Sequence, residues 1–217
     1  ALLLLIYIDM YKLLKLTFLS LCILCTTACT ENEPNTPTEP QIAEKTIFVF
    51  MPHSTNLYKY LLDNIAGMKR AIESNKGLGN TRLVVFIAKD KKQSALINIK
   101  YDKGVCKQDT LEKFYSPIYL TTNGRVELLN KVKQYAPANR YAMIVGCHGM
   151  GWIPSSTVFK AKKSRYFGGL ENGYKIDIDD FAESIKAAGM KMQFILFDDC
   201  YMSCMEVAYG LKDATDY

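Results

Sequence analysis

Three side chains in this sequence are placed where chemistry could be done: His53, His148 and Cys200, each just beyond an apolar run. The run TIFVFM over 46–51 ends in Pro52-His53, YAMIVGC over 141–147 ends in His148-Gly149, and QFILF over 193–197 ends in Asp198-Asp199-Cys200. A cysteine attacks as its thiolate, so it needs a proton acceptor or a positive neighbour. A histidine at a neighbouring strand end supplies the base, and a helix starting directly after Cys200 would lower its pKa. Gly149 lets the backbone come close, so its N–H and that of Cys200 could together face a developing oxyanion. The plain alternative is a free cysteine packed as a small hydrophobe. Spacing alone leaves both open.

The elements that must carry these residues alternate from Lys45 onward. The runs at 46–51, 83–88 (LVVFIA), 141–147 and 193–197 are short and unbroken, as in strands covered on both faces. Leu96–Tyr101 alternates more weakly and reads as an edge strand. Ser54-Thr55-Asn56 offers a helix N-cap, followed by Leu57, Leu61, Ile65, Met68 and Ile72 as one apolar stripe, with Gly77 and Gly79 ending it. Further helices are expected over 124–136, 178–188 and 202–211, the last burying Met202 and Met205. The alternation predicts a three-layer α/β/α sandwich with a mostly parallel sheet. In such sheets ligands sit beyond the carboxyl ends of the strands, where both histidines and Cys200 are delivered.

The N-terminal part is a separate matter. Lys12 and Lys15, an apolar stretch to Thr27 and then Ala28-Cys29 describe a secretory signal over 1–28, too short to span a bilayer comfortably. Small residues directly before a cysteine resemble the lipobox of bacterial lipoproteins, which would make Cys29 the lipidated first residue. Thr26 departs from the Leu usual there, and an ordinary secretory cut is the alternative. Residues 1–9 precede a plausible start at Met10. Residues 29–44 read as the lipidated end and a flexible tether rich in Pro, Thr, Asn and Glu, and 45–217 as the folded domain. A net charge of +5, with basic residues scattered among acids, gives no footprint for nucleic acid. Of seven cysteines, four belong to the domain (Cys106, Cys147, Cys200 and Cys204), and without a CxxC pair they predict no structural zinc. Asp177, Asp179 and Asp180 most simply cap the helix that follows.

YAMIVGCHGMGW and FILFDDCYMSCMEVAYG together resemble the clostripain family of cysteine peptidases, in the clan of caspases, legumain and gingipain. That family has an apolar strand ending in His-Gly, then Gly-Trp nearby, and some fifty residues later a strand ending in Asp-x-Cys-x-Met-Ser-x-x-Glu. Here His148-Gly149, Gly151-Trp152, Asp198, Cys200, Met202, Ser203 and Glu206 stand in those places. The resemblance implies a caspase-like fold and a secreted or surface-anchored endopeptidase that cuts peptides and proteins after Arg or Lys. Residue by residue it implies His148 as the catalytic histidine, Cys200 as the nucleophile, Gly149 and Cys200 as the oxyanion hole, and Asp198 as the acid that binds the substrate cation. It gives His53 no role beyond hydrogen bonding near the site.

Residues 151–174 read from composition as a solvated loop. The resemblance implies self-cleavage there, after Lys160, Lys162, Lys163 or Arg165. It also allows a dependence on Ca²⁺, and a chain that continues beyond Tyr217 with more strands and helices. Two positions depart from the family: Asp199 stands where Ala is common, and Cys147 where Asn is frequent. A carboxylate beside the nucleophile would oppose a thiolate. That motivates a rival reading, a non-catalytic surface lipoprotein using the fold as a binding module. A thiol oxidoreductase would instead require Cys200 to react with Cys204.

Overall fold

The computed structural model describes residues 41–151, 166–171 and 173–217. A six-stranded sheet forms its centre. In chain order the elements are β1 (Ala43–Met51), α1 (Tyr58–Ser74), β2 (Thr81–Ala88), β3 (Ser94–Asp102), β4 (Val105–Phe114), a 3-10 turn (Ile118–Leu120), α2 (Thr122–Tyr135) and β5 (Ala138–Val145). Then come β6 (His148–Gly149), β7 (Tyr166–Gly168), β8 (Lys175–Asp177), α3 (Ile178–Ala187), β9 (Met192–Phe197) and α4 (Met205–Leu211). The sheet order is β4-β3-β2-β1-β5-β9, with β2, β1, β5 and β9 parallel and β3 and β4 antiparallel.

The apolar runs of β1, β2 and β5 have the expected cause, cover on both faces, whereas β9 is only half-buried beyond Met192. On β1, Val49 and Met51 pack against Leu61, Ile65 and Ile72 of α1. The alternate residues Phe48 and Phe50 face the other layer, with Leu128 and Val132 of α2, Phe181 and Ile185 of α3, and Val207 and Leu211 of α4. Phe50 stacks on both Phe86 and Phe181, with ring centroids 5.6 and 6.0 Å apart. Arg125, buried on α2, ties that layer together. It donates to Ser184 Oγ (2.8 Å), to the carbonyls of Tyr119, Leu120 and Asp180, and to Thr122 Oγ1. Among the described residues no helix is long and apolar enough to cross a membrane.

Five local expectations need correction. The weakly alternating strand is not at the edge: β3 lies inside, covered by β4, whose polar sequence VCKQDTLEKF hides a strand that exists because β3 offers it a partner. The Ser54-Thr55-Asn56 cap is not used. Helix α1 starts after Leu57 without a side-chain cap bond. The last helix begins at Met205, five residues after Cys200, so no helix N-terminus lies at the nucleophile, and Cys204 occupies the residue just before the helix. Met202 is buried as expected, but Met205 is 86% exposed and Leu196 of β9 is 52% exposed. At α3, Asp177 occupies the cap position but its side chain makes no cap bond, while Asp179 and Asp180 sit in the first turn, where the helix dipole favours negative charge.

Candidate active site

Strand β5 ends at Val145, and Gly146 N still bonds Phe50 O of β1. Buried Cys147 then leads into β6, which leaves the main sheet to pair with β7: His148 opposite Gly168, and Gly149 opposite Phe167. On the neighbouring strand, Asp198 N bonds Val145 O at 2.8 Å, so the segment 198–202 starts beside the end of β5. The two segments then touch. A side chain at Gly149 would run into the Cys200 carbonyl oxygen and stand 2.7 Å from Met202 Cγ and 3.0 Å from Asp199 Cβ. Only glycine fits where the His148 segment crosses the Cys200 segment. Gly151, with φ of +57°, is held the same way: a side chain there would meet Tyr201 O at 2.5 Å. Tyr201 itself has φ of +58° directly after the nucleophile. Cys200 is exposed.

Two residues from the β1–α1 loop hold the histidine. Asn56 Oδ1 is 3.0 Å from His148 Nε2. The Ser54 carbonyl also bonds the ring, which favours the charged form, while burial pulls the pKa below its usual 6.5. These are the residues whose types first suggest a helix cap. A short polar side chain after a strand serves either purpose, so no sequence signal separated the two. Asp198, exposed at the rim, accepts from Asn64 Nδ2 of α1 at 2.9 Å. Sequence reasoning missed Asn64 as well, because it falls on the polar face of an ordinary amphipathic helix.

His53 reaches the same end of the sheet but turns inward. It is 7% exposed, packs edge-on against Tyr174 with centroids 5.2 Å apart, and its Nε2 has no hydrogen-bond partner among the described residues. Burial pushes its pKa down. The bond it was expected to make near the site is therefore not among those described. Asp199, between Asp198 and Cys200, is tied to Cys147: it accepts from Cys147 N at 2.5 Å and from Cys147 Sγ at 3.2 Å. Burial raises its pKa to about 7, against the hydrogen bonds from Cys147, which lower it.

Lys160, Lys162, Lys163, Arg165, Trp152 and Cys29 lie outside the described residues. Among the described residues no group of three His, Cys, Asp or Glu is arranged to hold a metal, so the Asp177–Asp180 cluster does not fit a Ca²⁺ site on its own.

A sheet of this topology with a cysteine and a histidine on adjoining segments beyond its strand ends has the layout of a caspase-like cysteine peptidase. Comparison with known proteins agrees. The profile of the Clostripain family matches residues 49–217, and the chain belongs to that family. It is similar to a secreted C11 cysteine protease from Bacteroides thetaiotaomicron, "iotapain", at 41% identity and a TM-score of 0.75, covering 82% of this chain and 51% of that one. It is also similar to a clostripain from Bacteroides thetaiotaomicron ATCC 29148 in complex with the peptide inhibitor BTN-VLTK-AOMK. There the identity is 35%, the TM-score 0.51, and the match covers 54% of this chain and 100% of that one. An inactive zymogen C11 protease from Parabacteroides distasonis matches at 28% identity and a TM-score of 0.66, over 82% of this chain and 48% of that one. The chain thus spans about half the length of the first of these relatives. No curated protein matches it.

Proposed function

We propose that the protein is a cysteine endopeptidase that cuts after Arg or Lys through a dyad of Cys200 and His148. The observation that carries this is the crossing of the two segments, with Gly149 seated on the Cys200 backbone. In the reaction the Cys200 thiolate attacks the scissile carbonyl carbon and forms a C–S bond, and the N–H groups of Gly149 and Cys200 hold the oxyanion. The C–N bond breaks as the His148 imidazolium gives its proton to the leaving amine. Water, deprotonated by His148, then attacks the acyl-enzyme and releases the acid, returning the thiolate and the imidazolium. Asn56 and the Ser54 carbonyl place the ring, and the contact on the nitrogen that faces Cys200 opens when that nitrogen gives or takes its proton.

Asp198 is the group for the substrate cation: an exposed carboxylate, fixed by Asn64, next but one to the nucleophile, pairs with a guanidinium or an ammonium. The inhibitor VLTK of the clostripain relative, whose peptide letters end in K, is consistent with such a pocket. The basic loop Lys160, Lys162, Lys163 and Arg165 would then offer the enzyme its own cleavage site, in keeping with the zymogen among its relatives. The signal over 1–28 and Cys29 support export with a lipid anchor, and the relatives described as secreted support export.

The test uses the full-length gene product, expressed without its signal, on fluorogenic peptides ending in Arg, Lys or Ala, beside Cys200→Ala. Cleavage after Arg or Lys, lost in Cys200→Ala together with the nick in the 151–174 loop on a denaturing gel, is the expected result. A folded protein that cuts none of the peptides, with or without Ca²⁺, would shift the reading to the binding module. Asp199 beside the nucleophile is the observation that favours that second reading.

A further inference from the structure

Asp199 has a place the peptidase reading does not use. Its carboxylate accepts from the backbone N–H of Cys147 at 2.5 Å and from the Cys147 thiol at 3.2 Å. Its Cβ also lies 3.0 Å from where a side chain on Gly149 would begin. One side chain thus touches the residue before His148 and the residue after it, while its own backbone leads directly into Cys200. Cys147 is buried, with its thiol pKa raised well above the usual range, first by burial and then by the Asp199 charge. It therefore stays a neutral donor. The two residues that depart from the family pattern are donor and acceptor of one clasp. A half-buried carboxylate that merely crowded Cys200 would have no reason to meet a matched pair of donors on the opposite segment.

We propose that Asp199 is a positioning residue: clasped to Cys147, it holds the nucleophile segment against the His148–Gly149 segment and so sets the Cys200–His148 geometry. This rests on the peptidase reading for its turnover test, though not for its thiol test. The ionised carboxylate is the stronger acceptor for Cys147, although burial makes that form the costlier one for the fold as a whole, so the clasp itself tightens as pH rises through the carboxylate's transition, which lies at about 7. The titratable groups acting on that carboxylate are Cys147, from the end of β5, and Asp198 on its own segment.

The experiment compares wild type with Asp199→Ala, Asp199→Asn and Cys147→Ala in the full-length protein, with folding checked by circular dichroism. Two quantities are read from pH 5.5 to 8.5: kcat and KM on an Arg or Lys peptide, and the rate of iodoacetamide alkylation located at Cys200 by mass spectrometry. Expected is a loss of about 10- to 100-fold in kcat for Asp199→Ala with KM within about threefold, the size of effect that a misplaced catalytic group produces. Asp199→Asn, whose amide oxygen still accepts from Cys147 N–H, should keep kcat within about threefold at pH 8. It should also lack the rise through pH 7 that wild type shows. Cys200 alkylation should slow in Asp199→Ala and not in Asp199→Asn.

Faster alkylation in Asp199→Ala would overturn the proposal, because it would mean that the carboxylate acts as a repelling charge. So would equal losses in Ala and Asn, or wild-type kcat and pH profile in folded Asp199→Ala. If Asp199→Ala does not fold, Asp199→Asn decides alone: an unchanged rise through pH 7 in both readouts overturns the clasp. Alkylation that follows the prediction while no peptide is cut would remove the peptidase reading and leave the clasp standing.

Discussion

At the residue scale, His148 is held by a loop, and the catalytic role proposed for it depends on that loop. Asn56 and Ser54 both come from the β1–α1 connection, and only Asn56 uses its side chain on the ring, so Asn56→Ala isolates that one contact. The expected outcome is a drop in kcat of about tenfold with little change in KM, since a freed ring loses orientation while substrate binding is untouched. Steady-state kinetics on a Lys peptide checks it. Gly149→Ala should be harsher. The added methyl group collides with the Cys200 carbonyl oxygen, which is main chain and cannot swing aside. A fall of more than about a hundredfold in kcat/KM is expected, of the order seen when an oxyanion donor is lost, with the thermal midpoint measured alongside to show that the fold survives.

At the scale of elements, buried Arg125 joins the 3-10 turn, α2 and α3, and burial brings its pKa down to about 10 while Asp180 and Asp177 resist the fall. Arg125→Met would leave the carbonyls of Tyr119, Leu120 and Asp180 without that donor, a loss on the order of 3–5 kcal/mol. Urea unfolding should show it, and Arg125→Lys should recover only part, because an ammonium cannot reproduce the planar fork. This scale also shows what could be read in advance. β1, β2 and β5 were legible because burial on both faces leaves an unmixed apolar run, and the strand ends drew attention to the segments of His148 and Cys200, which the fold sets side by side. β4 was not, because an edge strand takes its identity from its neighbour. The start of α4 was not, because Tyr201 adopts a left-handed backbone that no local rule demands of a tyrosine. Asn56 and Asn64 acquire their meaning only from residues about 90 and 134 positions away.

At the scale of the whole molecule, buried titratable groups set the stability profile in two windows. Asp199 has its pKa raised from 3.8 to about 7, so its contribution is full below the lower value and is lost as pH rises through the higher one, on the order of 4 kcal/mol. His53 and His148 have theirs lowered from 6.5 by burial, so their contribution holds above 6.5 and is lost as pH falls below it. Calorimetry should therefore find the thermal midpoint rising as pH is lowered from 8 to 6.5, while Asp199→Asn stays level over that interval. Below 6.5 the loss from the two histidines is opposed by the continuing gain from Asp199, so Asp199→Asn should fall more steeply than wild type. The polar strand β4 has a consequence at this scale too. Three of its charged side chains are already paired within the molecule, Lys107 with Asp102, Asp109 with Lys100 and Glu112 with Lys131. A second sheet approaching that flank would have to strip water from settled ion pairs and gain no new attraction in return. The opposite flank is taken up by the chain itself, with Met192 N on Ala214 O and Ile195 N on Tyr217 O. The β4 flank of the sheet is thus poorly suited to stacking on a neighbouring molecule.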